Sequence, residues 1–485
     1  MTTRTASRAA LFSAVLPGLG QAYVGQLRQA RWLIGVDIVL VGSLVLLLTR
    51  FRMDLVKAWV SPNALLVFMG FNVVFLAYRA YAVAAAYRTA PGDVTGWAGR
   101  MLMLAAVLIL VTPHLAVGFM AWTQYDLIKT VFAPSPPVAI DTTTTSTTTT
   151  TSTIMTTTTT LDTTTTWPGY PTTSTSTATT TLPPTTTLPP VWSGMDRLNI
   201  VLLGADAGAG RRGIRTDTTI VVSIDPVTGE TAMISVPRNL SDVPLPKGMG
   251  TWDCNCFPDL LTHLYDAAER NPSAFPGPNE PWFNAIKGAL GELLGIPIHY
   301  FAMVTLDGFV GVVDALGGVT IDVPKTIIDT TYPHENGSTV RVEIPAGRQH
   351  LDGHLALAYA RIRRTSDDFA RMHRQRCVLG AVVEQTNPLE IIVNFPKLAD
   401  AVKKSVTTDI PQDRLVDFVD LIPKMGTDRI ASLRIDRSYM VSSPPGRAFY
   451  NLDRIKREAH LLMTDPDAAR EQFGALDTTC DKSFD

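Results

Sequence analysis

Apolar residues crowd the first part of the chain in three long runs, Trp32 to Leu48, Ala64 to Tyr87 and Met101 to Trp122. Crossing a bilayer takes about 20 helical residues, so the pattern predicts a membrane anchor of about three transmembrane helices within residues 1–130. The first run carries Asp37, and the second carries Asn72 and Arg79. Asp37 and Arg79 lie close enough to the ends of their runs to snorkel. A shorter run, Ala9 to Tyr23, is broken by Pro17-Gly-Leu-Gly20 and is expected to lie in the interface or to re-enter. Basic residues favour the cytoplasmic side. With the N-terminus inside, Arg4, Arg8, Arg28, Arg31, Arg79, Arg88 and Arg100 flank the inner face, and Arg50, Arg52, Lys57 and Lys129 the outer one. This puts everything after the third run outside the cell. No secretory cleavage signal is evident, so the anchor is expected to remain attached.

Beyond the anchor the pattern changes twice. Residues 131–192 are dominated by Thr, Ser and Pro, with too few apolar groups to offset the entropy of folding, so a disordered linker is expected. At about 3.1 Å per residue for Pro-rich chain, Pro134 to Pro190 would reach on the order of 150 Å at most, and its composition suits O-glycosylation. Residues 193–455 then alternate strands and helices. Asn199 to Leu203, Thr218 to Ile224 and Thr231 to Val236 read as strands, the last two joined by Asp225-Pro-Val-Thr-Gly229. Pro281 to Leu294 has helical spacing, Tyr300 to Thr305 reads as a strand, Asp307 to Leu316 as a helix closed by Gly317-Gly318, and Val319 to Val323 as a strand. Leu351 to Ala360 and Asp367 to Gln385 are predicted helices. The alternation predicts an α/β fold, a central mixed sheet flanked by helices, with residues 456–485 as a C-terminal tail.

A formal net charge of −2 gives no reason to expect nucleic acid as a partner. The cysteines are Cys254, Cys256, Cys377 and Cys480. One intervening residue makes a Cys254–Cys256 bond sterically poor. A bridge from either to Cys377 or Cys480 is the alternative to four unpaired thiols.

Candidate chemistry lies in scattered arginines and aspartates: Asp206, Arg215, Asp217, Arg238, Arg361, Arg363, Asp368 and Arg371. Two carboxylates, Asp206 and Asp217, could share a divalent cation. Arginine presents a planar fork of donors that matches phosphate and stays charged. On the last predicted helix Asp368, Arg371 and Gln375 fall at i, i+3 and i+7, on one face, with Arg374 and Arg376 turned to solvent. Arg361 and Arg363 follow the preceding helix closely enough to converge on the same ligand. Outside a membrane, this set points to a lipid-linked pyrophosphate.

The stretch from Arg197 to Ser442 resembles the LytR-CpsA-Psr family of bacterial cell-wall ligases. The resemblance is carried by Leu203-Gly-Ala-Asp206, Arg215-Thr-Asp217, Pro237-Arg238, Leu316-Gly-Gly-Val-Thr-Ile-Asp-Val-Pro324, Leu351-Asp-Gly-His-Leu-Ala-Leu-Ala-Tyr-Ala-Arg361 and Thr407-Thr-Asp409. It implies a sheet flanked by helices with an apolar tunnel for a lipid tail, and together with the three apolar runs and basic flanks the expectation is a multi-pass protein of the bacterial cell membrane with an extracellular catalytic domain. The implied activity is a Mg2+-dependent phosphotransferase, moving a glycopolymer phosphate from a polyprenyl pyrophosphate carrier to a peptidoglycan hydroxyl. It further implies Asp206 and Asp217 as metal ligands. Arg238, Arg361, Arg363, Arg371 and Gln375 would contact the pyrophosphate, Arg215 would support them, and Asp368 is the candidate base. The helix Asp307 to Leu316, with Trp282, Phe283 and Ile286, is expected to wall the tunnel. Two positions depart from the family: Gly208 stands where an arginine is common, with Arg211 or Arg212 as substitutes, and Asn239 replaces an aspartate.

Two functions compete. A pyrophosphatase on the same lipid would use the same site with water as acceptor, and a non-catalytic wall-binding scaffold would have kept only the fold. Gly204-Ala-Asp-Ala-Gly-Ala-Gly210 lacks the helix and Lys-Ser/Thr ending of a nucleotide loop. His350 and His354 have a zinc-like spacing but no third ligand, and are expected on a surface helix. Trp252-Asp-Cys-Asn-Cys256 reads as a structural loop or a lip over the site.

Overall fold

The structure, a computed structural model, describes residues 5–91, 96–132, 195–206, 213–333, 338–363, 368–385, 388–421, 424–425 and 430–476. The Thr-rich segment, Gly208, Arg211, Arg212, Asp367 and Cys480 lie outside the described residues.

The N-terminal part is helical: α1 (Ala6–Val15), α2 (Leu19–Val24), α3 (Leu27–Arg50), α4 (Arg52–Trp59), α5 (Pro62–Thr89) and α6 (Trp97–Val131). Among the described residues, α3, α5 and α6 are the helices long and apolar enough to cross a membrane. Val39, Val67 and Val73 stay exposed, as a lipid-facing surface requires. The broken run forms α1 and α2. Helix α1 packs against both α5 and α6 through the buried small residues Ala6, Ala9, Ala10, Ser13 and Ala14, which permit close backbone approach. Both expected snorkelling residues have partners within the bundle. Arg79 donates to the Ala14 carbonyl, one of the groups a helix end leaves unpaired, and Asp37 is buried beside Tyr78 and Arg79.

The α/β part begins with β1 (Leu198–Asp206), β2 (Arg215–Ile224), β3 (Thr231–Ser235), β4 (Ser241–Pro244) and β5 (Cys256–Leu260). Helices α7 (Leu264–Arg270) and α8 (Pro281–Leu294) lead to β6 (Tyr300–Thr305), α9 (Leu306–Ala315) and β7 (Val319–Val323). The hairpin of β8 (Ile327–Pro333) and β9 (Thr339–Ile344) precedes β10 (Gly347–Leu351), α10 (Gly353–Arg361), α11 (Asp368–Gln385) and α12 (Pro388–Ser405). The chain continues through β11 (Val406–Thr408), α13 (Leu415–Leu421), β12 (Ile430–Arg434), β13 (Met440–Ser442), β14 (Phe449–Tyr450), α14 (Leu452–Thr464) and α15 (Pro466–Phe473).

The central sheet runs β11-β6-β1-β2-β3-β12. It is mixed, with β1 parallel to β6 and β3 parallel to β12, and antiparallel elsewhere. Side chains alternate across it. Val201, Leu203, Val221 and Ile234 join Phe283, Ile286 and Leu290 of α8 in one core. Leu202, Ile220, Val222 and Met233 face the other side, with Leu379 of α11. The expected tail over 456–485 is instead part of the body as far as it is described: Ala459, Leu462 and Ala469 are buried in the first core.

Two further expectations change. Cys254 and Cys256 are bonded to each other across a Cα separation of 5.0 Å, because the turn at Asn255, φ +47°, brings them face to face. Cys377 is also disulfide-bonded. Trp252 packs on Phe257 and Phe275, so its loop is structural. His350 lies in β10 and donates to or accepts from Thr320, while His354 lies in α10. Their spacing is therefore not that of one helix.

The Thr407-Thr-Asp409 motif ties down the edge strand β11. Asp409 Oδ1 accepts from the Phe301 amide at 2.7 Å, and its Oδ2 accepts from Lys287 at 2.7 Å. Removing one partner of a half-buried, hydrogen-bonded ion pair costs about 3 kcal/mol. Asp409→Ala is expected to lower unfolding stability by about that amount, read from the urea midpoint of the detergent-solubilised chain, with β11 and β6 losing hydrogen-exchange protection first.

Candidate active site

Strand β1 ends at Asp206, directly opposite Arg215 at the start of β2. Between them the register slips: Gly204 pairs with Thr218 and Ala205 with Thr216, leaving Asp217 without a partner on β1. Such a bulge re-aims the extra residue. Glycine is required beside it, since a Cβ at Gly204 would lie 2.9 Å from the Cβ of Thr218.

The re-aimed Asp217 accepts from Arg238 Nη1 at 2.7 Å and from Thr262 Oγ1 at 3.2 Å. Arg238, just past β3, also donates from Nε to Asp368 Oδ1 at 3.2 Å. The same Asp368 oxygen accepts from Arg371 Nε at 3.1 Å, and Arg371 Nη1 reaches the Asp217 carbonyl at 3.0 Å. Arg361, the last residue of α10, donates to Asp206 Oδ2 at 3.3 Å. Burial opposes ionisation of Asp217, but the charges and hydrogen bonds of Arg238, with Arg371 and Thr262, hold its carboxyl below the usual range. Burial, and then the charges of Arg238 and Arg371, push the Arg363 guanidinium down from its usual pKa. Arg215 is exposed at the rim.

Part of the cluster lines a cavity of about 310 Å³, between the sheet and α9, α10 and α11. Asp217, Arg361, Arg371 and Gln375 supply the polar lining, and residues such as Ile220, Leu306, Phe309, Val378 and Val406 the apolar remainder. The cavity does not use α8: Trp282, Phe283 and Ile286 pack on the opposite sheet face. From α9, Phe309 lines it, whereas Val313 points into a second core.

Arg374 and Arg376 are not solvated. They are 7% and 8% exposed. Arg374 donates from Nε to the Tyr359 carbonyl at 2.7 Å and from Nη2 to the Ile362 carbonyl, capping the end of α10 between Arg361 and Arg363. Arg376 reaches Ser432. Charge periodicity alone cannot show that a neighbouring helix end demands a donor. Asn239 is taken up by Tyr450, whose hydroxyl donates to its Oδ1 at 3.1 Å. Sequence reading also missed Thr262 and Tyr332, whose hydroxyl accepts from Arg361 Nη1 at 3.4 Å. Nothing in their local sequence marks either one.

A divalent cation would have to use few protein ligands, since no group of three His, Cys, Asp or Glu residues converges among the described residues. Asp206 and Asp217 would suit such an ion only if it were hard and oxygen-seeking and completed its shell with water and phosphate oxygens. Both carboxylates are presently engaged by arginines.

The LytR_cpsA_psr family model matches residues 171–459. A polyisoprenyl-teichoic acid–peptidoglycan teichoic acid transferase TagU of Bacillus mycoides (strain KBAB4) is 29% identical over 223 residues, 46% of this chain and 63% of the relative. The similarly named TagV of Bacillus subtilis (strain 168) is 25% identical over 282 residues, 56% of this chain and 66% of the relative. The chain thus spans under two thirds of these relatives. The crystal structure of B. subtilis TagV aligns with a TM-score of 0.42 at 25% identity, covering 55% of this chain and 97% of that one.

Two outcomes follow from the geometry. A carboxyl depressed in the folded state contributes stability above its unfolded value of about 3.9 and loses it as pH falls through the folded value. The wild type should therefore lose more stability than Asp217→Asn as pH drops below about 4, measured by urea titration at each pH. Arg374→Ala should lower stability by about 1–3 kcal/mol, through carbonyls left unpaired, and should disturb Arg361 without removing any group that lines the cavity.

Proposed function

Because the chain belongs to the LytR_cpsA_psr family, we propose that its α/β domain is a phosphotransferase that moves a glycopolymer phosphate from a polyprenyl pyrophosphate carrier to a peptidoglycan hydroxyl. The observation that carries this reading is a largely apolar cavity whose lining includes Arg361 and Arg371. That combination suits an anionic head on a hydrocarbon tail. The names of the TagU and TagV relatives, teichoic acid transferases from a polyisoprenyl carrier to peptidoglycan, agree with it.

In this reading Arg238, Arg361, Arg363 and Arg371 neutralise the pyrophosphate, Gln375 adds a hydrogen bond and Arg215 supports from the rim. Phosphoryl transfer needs alignment and charge stabilisation more than covalent help. The acceptor hydroxyl attacks the phosphorus bearing the glycopolymer. The bond from that phosphorus to the bridging oxygen breaks, and polyprenyl phosphate leaves with the oxygen and its electron pair. Asp368 takes the hydroxyl proton. Its Oδ1 is held by two arginines, while Oδ2 is buried with no hydrogen-bond partner among the described residues. Mg2+ on Asp206 and Asp217 would supply further charge neutralisation at the pyrophosphate.

The domain works outside the membrane in this proposal. The basic flanks support that orientation, and so does the Cys254–Cys256 disulfide, a bond of oxidising compartments.

Release of polyprenyl phosphate is the decisive assay. Release that requires a peptidoglycan acceptor is expected; release into water alone would mean a pyrophosphatase, and none would mean a scaffold. Asp217→Ala should abolish turnover, and chelation should do the same. Arg361→Ala, Arg363→Ala and Arg371→Ala should each cost roughly ten- to a hundred-fold, the value of one charge-assisted hydrogen bond. A reporter that folds only outside the cytoplasm should be active when fused after Ser193 and silent after Thr89. The opposite pattern would remove the acceptor and the proposal with it.

A further inference from the structure

The membrane helices and the α/β domain touch directly and belong to one contact unit. The C-terminal end of α6 packs against α12 and β11, and α4 packs against α13. Lys403 of α12 meets Asp126 of α6 at 2.6 Å, and Lys57 of α4 meets Asp420 of α13 at 2.8 Å. These ion pairs flank an apolar seam. Trp59 stands edge-on to Phe395 at 6.4 Å, and Leu415 packs with Leu65, Ala121 and Ile128. Gln412 donates from Nε2 to the Phe132 carbonyl at 3.1 Å, satisfying a backbone group at the end of α6.

We propose that this seam is a docking interface, so that the catalytic domain works seated on the outer ends of its own membrane helices rather than at the reach of the Thr-rich segment. The charges are complementary, each lysine facing an aspartate across the seam. Exposed ion pairs contribute little singly, and the seam is small. It does not need high affinity, because both surfaces belong to one chain. A covalent connection makes their association intramolecular, so even an interface too weak to join separate molecules can stay closed.

The seat lies next to the cavity. Helix α12 contacts α6 on one side and α9 on another. The α9–α12 contact is tight: a Cβ at Gly311 would lie 2.9 Å from Ala401 Cβ. Helix α9 and strand β11 supply Leu306, Phe309 and Val406 to the cavity lining. A docked domain therefore keeps one cavity wall close to the membrane helices, where a lipid-tailed substrate resides. That last step rests on the proposed function; the docking itself does not.

The test uses the full chain in membranes, with a protease site inserted between Pro136 and Ser193. Asp126→Cys with Lys403→Cys, treated with a short bismaleimide, should keep the anchor and domain fragments together after cleavage. Asp126→Cys with Asp467→Cys, the latter on α15 beside the opposite sheet edge strand β12, should let them separate. Single Asp126→Lys should weaken retention of a Lys57→Cys/Asp420→Cys pair, and added Lys403→Asp should restore it. Equal crosslinking of both first pairs, or of neither, would overturn docking. Deleting residues 145–180 should leave the crosslink intact; its loss on deletion would show that the segment's reach, not the seam, sets the domain's position. Because crosslinking needs no turnover, these results stand apart from the fate of the transferase proposal.

Discussion

Like charges gathered beside a cavity are the constraint that the α/β domain is built around. Arg238, Arg361, Arg363 and Arg371 would repel one another if nothing lay between them. Asp217 and Asp368 separate Arg238 from Arg371, and Asp206 takes Arg361. Each carboxylate is delivered by a different device: a strand end, a β-bulge and a helix start. The sheet, the cap on α10 by Arg374 and the short edge strand β11 all serve to hold those devices in register. Ligand phosphates would then replace part of an existing counter-charge instead of entering bare positive space, so the site is organised before anything binds.

The anchor shows the same logic with different chemistry. In hydrocarbon, unpaired backbone groups are costly, and the bundle answers with side chains pointing inward. Arg79 ends α1, Gln21 reaches the Ala82 carbonyl, and Asn72 bonds His114 and its carbonyl. These contacts lock small-residue helices into one arrangement. A rigid bundle is what a seated domain requires beneath it.

Much of the architecture was readable from residue order. The spanning runs, α8, β6 and β7 follow directly from hydrophobic period and turn residues, because their burial is decided by neighbours in sequence. Arg361, Arg371 and Gln375, which the resemblance marks, line one cavity, and Asp206 pairs with Arg361. What stayed hidden depends on partners far along the chain. Arg374 looks solvated until α10 ends against it, and Asp217 owes its aim to a register slip that no local pattern records. Trp282 and Phe283 read as a tunnel wall, yet the sheet separates them from the cavity. Cys254 and Cys256 pair only because Asn255 adopts a left-handed turn.

Helix α9 meets α12 at glycines, Gly308 against Ser405 and Gly311 against Ala401, so its backbone has no room to move toward α12. The cavity consequently has a wall of fixed position whose compliance resides in side chains alone. An occupant of greater girth would be met by rotamer changes at Leu306 and Phe309, each on the order of 1 kcal/mol, rather than by a shifting helix. Apolar occupants that differ by a bond's saturation or a methyl branch would thus be graded gently instead of being accepted or refused.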